Sequence, residues 1–368
     1  MPESNAATAT LRDWLLTGAA PACLSELQAR AIADAAGVHG LTALLDTSPA
    51  AAAWPDDVRQ LLRQRHQAVL AETVQKLALA QRATAILARA GLRALPLKGA
   101  GVAEWLYDSS AERPMDDVDL LLLDDWTHAV RALAAEGFRE LERADHAWSF
   151  ADPVTGFVLE LHHGVTSCPA LFPLDTAGLW SRSHLVQGQV QRRPSAEDVL
   201  AHLSMHAAFQ HGLVLRLGQY LDFRRLLERA ALSPGTALEL ARAARAEGAV
   251  AVVLEAAAAV VDAPVPGELR AVFAPSLTPA LAALVRARGA LALLQPARPQ
   301  LSRVRWVLAA GARGRLVAAT LGLTAHRRAP LLQRLRHVAG RAPSLLQRWG
   351  APVLRDVLAT ARTRGSRR

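Results

Sequence analysis

The sequence predicts an α+β fold, in which a small mixed sheet is flanked by a helical N-terminal region and a larger all-helical C-terminal region. Helix caps and helical spacing of apolar residues dominate both ends of the chain, whereas the middle alternates short apolar runs with helical segments. A length of 368 residues can support more than one core. We therefore expect three regions, residues 1–64, 65–192 and 193–368, the last with a basic tail.

The N-terminal region contains three helical segments with recognisable ends. "LRDWLLTG" ends on Gly18, and "SELQARAIADAAGVHG" begins with a serine cap and ends on Gly40. The third segment, which starts at "DDVRQLL" and ends at Gly91, is long and amphipathic. These signals predict helices up to about residue 90.

In the central region, the spacing of apolar residues changes from helical to alternating between strands and helices. "LRALPLKG" is short and apolar, "AGVAEWLYD" is helical, "MDDVDLLLL" is typical of a buried strand, and "DDWTHAVRALAAEGF" is typical of a capped helix. "RELERADHAWSFAD" and "GFVLELHHGV" predict an antiparallel pair joined by the turn "DPVTG". From about residue 195 the pattern is helical again, beginning with the capping-box sequence "SAED".

Composition excludes several classes. Charged residues interrupt every long apolar run, which argues against a membrane span, and the N-terminus has no signal-peptide pattern, so we expect a cytoplasmic protein. Cys23 and Cys168 are isolated, which predicts neither a disulfide framework nor a zinc site. Aromatic residues are only 5% of the chain and form no basic-aromatic stripe, which disfavours nucleic acid as a partner.

The net charge of +9 is concentrated near the C-terminus. Residues 303–368 contain many arginines and one acid, Asp356. This tail can contact an anionic partner, including a membrane surface at its periphery. It can equally reflect compositional drift, since the chain has 2 lysines and 40 arginines (42 − 2).

Two acids mark the start of the predicted strand in "RPMDDVDLLLL". On a strand, Asp117 and Asp119 share a face, with their Cα atoms roughly 6.6 Å apart. Two carboxylates at this spacing can bind a divalent cation, and Mg²⁺ prefers such oxygen ligands. The alternative is that Asp116 and Asp117 only form a turn before the strand.

Glu160 in "FVLELHHG" is a carboxylate in an otherwise apolar strand. If this strand lies beside the one that carries Asp119, Glu160 can bind the metal or accept a proton from an attacking hydroxyl group. His162 shares its face and either orients it or simply ends the strand.

A glycine-containing turn precedes the acids. "LPLKGAG" predicts a strand that passes into a helix, where Lys98 and the backbone at Gly99 and Ala100 can contact a phosphate. The pattern is not a Walker A motif, and glycine turns before helices are common. Arg113 is either a second phosphate contact or an ordinary surface arginine.

These motifs together resemble one family. "LPLKGAGVAEWLYDSSAERPMDDVDLLL", "LELHH" and "SAEDVLAHLSMHAAFQHG" with "LRLGQYLDFRRLL" are similar to the bacterial uncharacterised nucleotidyltransferases of the polymerase-beta-like superfamily, over roughly residues 65–230. The resemblance implies that 65–192 is a nucleotidyltransferase core in which Asp117, Asp119 and Glu160 hold Mg²⁺. The superfamily's usual glycine-serine pair is here Gly99-Ala100, which implies phosphate contacts through backbone amides, Lys98 and Arg113.

The function implied by this resemblance is transfer of a nucleoside monophosphate from a nucleoside triphosphate, with ATP the expected donor, to a hydroxyl group on a small molecule or protein. The alternative is a non-catalytic nucleotide-binding or assembly protein that retains the fold. Asp198, His202 and His206 share a helix face and offer a rival metal site, although His206, like Asp222, also fits a residue that lines the cleft.

Overall fold

A computed structural model describes residues 2–294, except 20–23, 144–145, 167–170, 187, 189 and 287–288, together with residues 304 and 308. Cys23, Cys168 and the basic tail therefore lie outside the described residues, and the expectations about them remain predictions.

Fourteen α-helices lie in the described part of the chain. Their bounds are α1 Pro2–Thr17, α2 Glu26–His39, α3 Thr42–Asp46, α4 Asp56–Arg89, α5 Lys98–Leu106, α6 Trp126–Ala135, α7 Thr176–Arg182, α8 Ala196–Met205, α9 Leu217–Arg229, α10 Pro234–Ala243, α11 Glu247–Val261, α12 Gly267–Phe273, α13 Pro279–Arg286 and α14 Gly289–Ala292. A π-helical turn, His206–Gln210, directly follows α8.

The strands are β1 Ala94–Pro96, β2 Val118–Leu122, β3 Arg139–Arg143, β4 Ala147–Ala151, β5 Val158–His162, β6 His184–Leu185 and β7 Arg192–Arg193. The first five form one mixed sheet in the order β1-β2-β5-β4-β3, in which only β2 and β5 are parallel. The mixed sheet, which is preceded and followed along the chain by helices, confirms the predicted α+β class.

The sequence predicts two antiparallel strands in residues 139–165, and this number is wrong, because the structure has three. "RELERADHAWSFAD" contains two strands, β3 and β4, and β4 pairs in turn with β5, which makes a three-stranded antiparallel meander. The hairpin between β3 and β4 contains no glycine or proline in the sequence, so the usual turn signal is missing.

Local capping signals are realised as predicted. Ser25 begins α2 with a capping box, and Gly40 ends it in the left-handed conformation at φ 72°. Asp125 caps α6, and the Ser195 hydroxyl group caps α8 by accepting a hydrogen bond from the Asp198 amide. Short-range hydrogen bonds thus fix where these helices start.

Apolar residues gather in two large clusters. One joins the N-terminal helices with α8, α9, α11 and the helices that follow, and the other packs the second half of α4, with α5 and α6, against the sheet. Helix α4 crosses the predicted boundary at residue 64 without a break and contributes to both clusters. The division into 1–64, 65–192 and 193–368 stays a prediction.

Within the described residues, no single helix has both the length and the apolar character needed to cross a membrane. One pair, Gly267–Ser276 with Pro279–Arg286, satisfies length and composition together but is bent by 119°.

Candidate active site

The parallel pairing of β2 and β5 brings the two strand acids together. Asp119 lies directly opposite Glu160 in the register, and Leu121 lies opposite His162. Side chains at alternate positions of neighbouring strands point to the same face, so Asp119, Glu160 and His162 converge. Asp119 is buried, at 3% exposure, among the leucines of β2.

The Asp119 carboxylate accepts two strong hydrogen bonds on the same oxygen. Lys98 Nζ lies 2.6 Å from Asp119 Oδ1, and His162 Nε2 lies 2.7 Å from it. His162 Nε2 is also 3.3 Å from Glu160 Oε2. A cation, an imidazole and two carboxylates therefore form one connected cluster.

Lys98 reaches this cluster from the first residue of α5, where its backbone adopts φ 44°. This left-handed conformation is rare for a residue with a side chain and is concentrated at functional sites. The strained turn directs the ammonium group of Lys98 toward Asp119.

Electrostatic coupling sets the charge state of the cluster. Burial opposes ionisation of Asp119, but the Lys98 ammonium and the hydrogen bond from His162 hold the pKa of Asp119 well below its ordinary value. Burial likewise disfavours the charged forms of Lys98 and His162, yet the Asp119 carboxylate raises the pKa of both. The hydrogen bond from His162 lowers the pKa of Glu160.

Asp117 behaves in the opposite way. It precedes β2, and burial followed by repulsion from Asp119 raises the pKa of Asp117 to about 6. Lys98 opposes this shift without cancelling it. Additional positive charge nearby would therefore favour the ionised form of Asp117.

The donor set fits a divalent cation. Among the described residues, ligand atoms of Asp119, Glu160 and His162 lie within 4.8 Å of one another. The carboxylates of Asp119 and Glu160 suit Mg²⁺, whereas His162 Nε2 already donates to Asp119, so His162 is better placed to orient that ligand. Asp117 lies outside this group of three, and its role as a ligand stays a prediction.

The glycine turn has a packing role as well as the predicted phosphate role. A Cβ at Gly101 would lie 2.7 Å from the carbonyl oxygen of Pro96, so only glycine lets α5 approach β1 this closely. A Cβ at Gly99 would lie 2.6 Å from Met115 Cγ. Ala100, where the superfamily has serine, is buried in the sheet core.

A cleft connects this cluster with the helical region. Lys98, Gly99, Arg113, Asp117 and Asp119 line it from the sheet side. The helical side contributes His39, His206, His211, Arg216 and Gln219. The cleft thus holds acids that can bind a metal ion and cations that can bind phosphate.

Arg113 and Asp222 form a separate buried pair. Arg113 Nε and Nη2 donate to the two Asp222 oxygens at 2.7 and 2.8 Å, and the Tyr107 hydroxyl group donates to Asp222 Oδ1 at 2.7 Å. Burial, followed by the Asp222 charge, raises the pKa of Tyr107, which keeps its proton in place. In this arrangement the guanidinium of Arg113 binds a protein carboxylate.

The rival site on α8 is not assembled. Asp198 forms a bidentate ion pair with Arg182, at 2.9 Å on both arms, and accepts a hydrogen bond from Ser195. His206 Nε2 lies 2.9 Å from His211 Nε2 in the π-helical turn. Among the described residues, these groups do not converge as metal ligands.

Sequence reasoning missed one residue of this region, Arg216, and one feature of His202. Arg216 lines the cleft and pairs with Asp116 at 3.0 Å, but it is 100 residues away in the chain. His202 has a buried Nε2 atom without a hydrogen-bond partner among the described residues. The histidine spacing on α8 drew attention to His202 as a metal ligand or as a residue that caps, packs or lines the cleft, but it did not indicate this unpaired atom.

A search among curated proteins found no match. A family model described as an uncharacterised nucleotidyltransferase matches residues 25–262, well over half of the chain and a wider range than the quoted motifs cover. The match includes the whole five-stranded sheet, α5 and the helices α8 and α9 that complete the cleft. The chain therefore belongs to the uncharacterised nucleotidyltransferase family, and the predicted resemblance is confirmed.

Proposed function

We propose that this nucleotidyltransferase moves a nucleoside monophosphate from a nucleoside triphosphate, ATP being the expected donor, to a hydroxyl group on a small molecule or protein, with Mg²⁺ as cofactor. The convergence of Asp119, Glu160, His162 and Lys98 on adjacent strands carries the proposal. Lys98 and Asp119 of this group line a cleft whose other wall supplies a further cation, Arg216.

The residues of the cluster suit each part of the reaction. The acceptor oxygen forms a bond to the α-phosphorus, the bond from that phosphorus to the bridging oxygen breaks, and pyrophosphate leaves with the electron pair. Glu160, whose pKa is lowered by His162, is ionised and can take the proton of the hydroxyl group. Mg²⁺, held by Asp119 and Glu160 with Asp117, would neutralise charge on the phosphates.

Cations of the cleft would hold the phosphates. Lys98, at the start of α5, can exchange its contact with Asp119 for a phosphate oxygen once Mg²⁺ compensates the carboxylate. Arg216 is half exposed, so its guanidinium group can reach a bound triphosphate. Arg113 stays a proposed phosphate contact, although its pairing with Asp222 makes a role in holding the cleft together more direct.

A non-catalytic nucleotide-binding or assembly role is the second candidate. The ion pair of Lys98 with Asp119 already balances the buried carboxylate within the protein, and Ala100 supplies no hydroxyl group for phosphate. Under this reading, nucleotides would bind without dependence on Mg²⁺, or would not bind.

Calorimetric titration separates the two candidates. A non-hydrolysable ATP analogue is titrated into the wild type and the Asp117→Asn, Asp119→Asn double variant, with and without Mg²⁺. We expect binding that requires Mg²⁺ and is lost in the double variant, because two carboxylates of the metal site are removed. Transfer to candidate acceptors is then followed with labelled ATP.

The matched control is Asp262→Asn. Asp262 is an exposed carboxylate at the end of α11 with φ 51°, a conformation that asparagine adopts readily, and it does not line the cleft. If the double variant does not fold, Glu160→Gln tests the same site on a partly exposed side chain. Equal Mg²⁺-dependent affinity in the wild type and in a folded site variant would contradict the proposed metal site.

A further inference from the structure

A second, apolar cavity lies next to the carboxylate cluster. Its walls are mainly leucine, valine, proline and alanine side chains from β1, α5, β2, α8 and α10. Lys98 lines both this cavity and the carboxylate cleft, so the two spaces share one side chain. A molecule in the apolar cavity would therefore lie beside the reacting centre.

The cavity is small and opens to solvent. Its volume is about 70 Å³, less than the ~150 Å³ of a dry engineered cavity that binds benzene. Pro173, Asp175 and Ala243 among its lining residues are exposed, so they form its mouth. Its enclosed part is too small for a whole benzene ring, so a ring or branched chain would enter it only in part, and the remainder of the molecule would extend through the mouth.

One polar atom in the wall has no protein partner. Asp198 and Arg182 line the cavity but satisfy each other, as described above. His202 also lines it, is 7% exposed, and its Nε2 is buried without a hydrogen bond among the described residues. A buried polar atom left in this state costs free energy, which a ligand can recover.

The neutral imidazole selects the chemistry of that ligand. Burial, reinforced by the nearby charge of Lys98, lowers the pKa of His202 to about 3, so the ring is uncharged near neutral pH. In one tautomer Nε2 donates, and in the other it accepts. A hydroxyl group satisfies either, because it both donates and accepts.

We infer that the cavity binds the acceptor of the reaction, a small apolar molecule with a hydroxyl group that forms a hydrogen bond with His202 Nε2. This inference rests on the proposed function, which requires a hydroxyl acceptor beside the carboxylate cluster. The cleft with Asp117, Asp119 and Arg216 then takes the triphosphate, and the side chain of Lys98 lies between the two substrates.

The test uses 4-fluorophenol as the probe and 4-fluorotoluene as its counterpart without a hydroxyl group, both followed by fluorine NMR on the full chain. Ala244→Trp fills the cavity from a partly exposed position, and Ala231→Trp is the control at an exposed alanine that does not line it. We expect the wild type and Ala231→Trp to bind 4-fluorophenol, and Ala244→Trp to lose this binding. Undiminished binding by a folded Ala244→Trp variant would overturn the location.

His202→Phe tests recognition of the hydroxyl group. Phenylalanine keeps a planar ring but removes Nε2, so affinity for 4-fluorophenol should fall by up to ~10-fold, the range of one hydrogen bond, while that for 4-fluorotoluene is unchanged. Parallel losses for both probes, or no loss for either, would show that His202 does not read the hydroxyl group and would overturn that part of the inference.

A final arm tests the assignment as acceptor. Saturating Mg²⁺ and ATP analogue should leave 4-fluorophenol binding intact, because donor and acceptor must be bound together; competition between them would overturn the assignment. Failure of the proposed function is distinguishable, since the probe measurements need neither Mg²⁺ nor nucleotide. Probe binding without any nucleotide binding would contradict the transferase reaction, whereas nucleotide binding without probe binding would contradict only the acceptor cavity.

Discussion

Asp119 in the sheet and Asp222 in the helical region are equally buried carboxylates with different surroundings. Their side chains are 3% and 2% exposed, and each is paired with a cation. Both carboxylate oxygens of Asp222 accept hydrogen bonds from the guanidinium group of Arg113, and one also accepts from Tyr107. In Asp119, a single oxygen accepts hydrogen bonds from both Lys98 and His162. Burial alone therefore does not separate the two acids.

The difference lies in the neighbouring charges. Both Asp117 and Glu160 add negative charge around Asp119, and the pKa of Asp117 is raised by burial and by this crowding. In the described part of the chain, Asp222 contacts an arginine and a hydroxyl group, which compensate its charge within the protein. Under the proposed function, Asp119 is therefore the acid whose surroundings still favour a further cation, whereas the charge of Asp222 is matched locally.

Removing the Asp222 carboxylate should have the largest effect on the free energy of unfolding. Asp222→Ala leaves the buried guanidinium of Arg113 without its partner, so the free energy of unfolding should fall by about 3–5 kcal/mol. The measurement is urea denaturation followed by circular dichroism. A loss below about 1 kcal/mol would contradict the structural role.

Asp108→Ala is the matched control for Asp222→Ala. Asp108 also forms a bidentate pair with an arginine, Arg229, at 2.9 and 2.8 Å, but its side chain is 73% exposed. Because exposed ion pairs contribute little to stability, this variant should unfold close to the wild type. Comparing the two variants separates the effect of burial on stability from the effect of hydrogen-bond geometry.

The second prediction concerns Lys98, the cation that pairs with Asp119. Lys98→Met removes the ammonium group from buried Asp119, and we expect the free energy of unfolding in EDTA to fall by roughly 2–3 kcal/mol, since an unpaired buried charge is costly. Millimolar Mg²⁺ should restore much of this loss, because a bound cation compensates the same carboxylate and stabilises the folded state by mass action.

Arg113→Met supplies the comparison for this rescue. It should also destabilise the protein, because Asp222 loses the guanidinium that binds both of its oxygens. Mg²⁺ should not restore its stability, since Asp222 is not part of the group of convergent ligand atoms found in the described residues. Equal rescue of both variants, or of neither, would remove the distinction between the two acids.

The third prediction is smaller. Tyr107→Phe removes one hydrogen bond to the Asp222 carboxylate and keeps the arginine fork, so the free energy of unfolding should fall by about 1.5 kcal/mol. Mg²⁺-dependent binding of the ATP analogue should be unchanged, which calorimetry can check. A change in nucleotide affinity at unchanged stability would place Tyr107, against expectation, in the functional cleft.

Sequence reasoning predicted the local features of this protein because short-range interactions determine them. The serine cap at Ser195, the cap at Asp125 and the apolar strand after Asp119 depend on residues within four positions. The proximity of Glu160 to Asp119 followed from strand alternation once the two strands were adjacent. The break between β3 and β4 was not predicted, because no glycine or proline in the sequence marks it.

Tertiary partners could not be predicted in this way. Lys98 is 21 residues from Asp119, and Arg113 is 109 residues from Asp222, so no spacing in the chain indicates either pair. Sequence reasoning assigned Lys98 to phosphate because it lies in a glycine-containing turn before a helix, and it left Arg113 as either a second phosphate contact or a surface arginine. It had no means to separate a cation bound to a ligand from one bound to a buried carboxylate.

The last prediction reverses the usual sign of a carboxylate substitution. The pKa of Asp117 is 3.8 ordinarily and about 6 in the folded protein, so folding disfavours its ionised form. The contribution of Asp117 to stability is therefore most favourable below about pH 4, falls as the pH rises to about 6, and stays lower above that value. Asp117→Asn removes this cost, and we expect a gain of about 1 kcal/mol near pH 8 in EDTA, after allowance for solvent screening in the open cleft. Denaturation at pH 8 and pH 4 measures it: the gain should vanish at the lower pH, whereas Asp116→Asn, which removes the exposed carboxylate next to it, should bring no comparable gain. Mg²⁺ should stabilise the wild type at pH 8 and the Asp117→Asn variant less, because the charge that destabilises the empty fold is the one that the metal ion would bind.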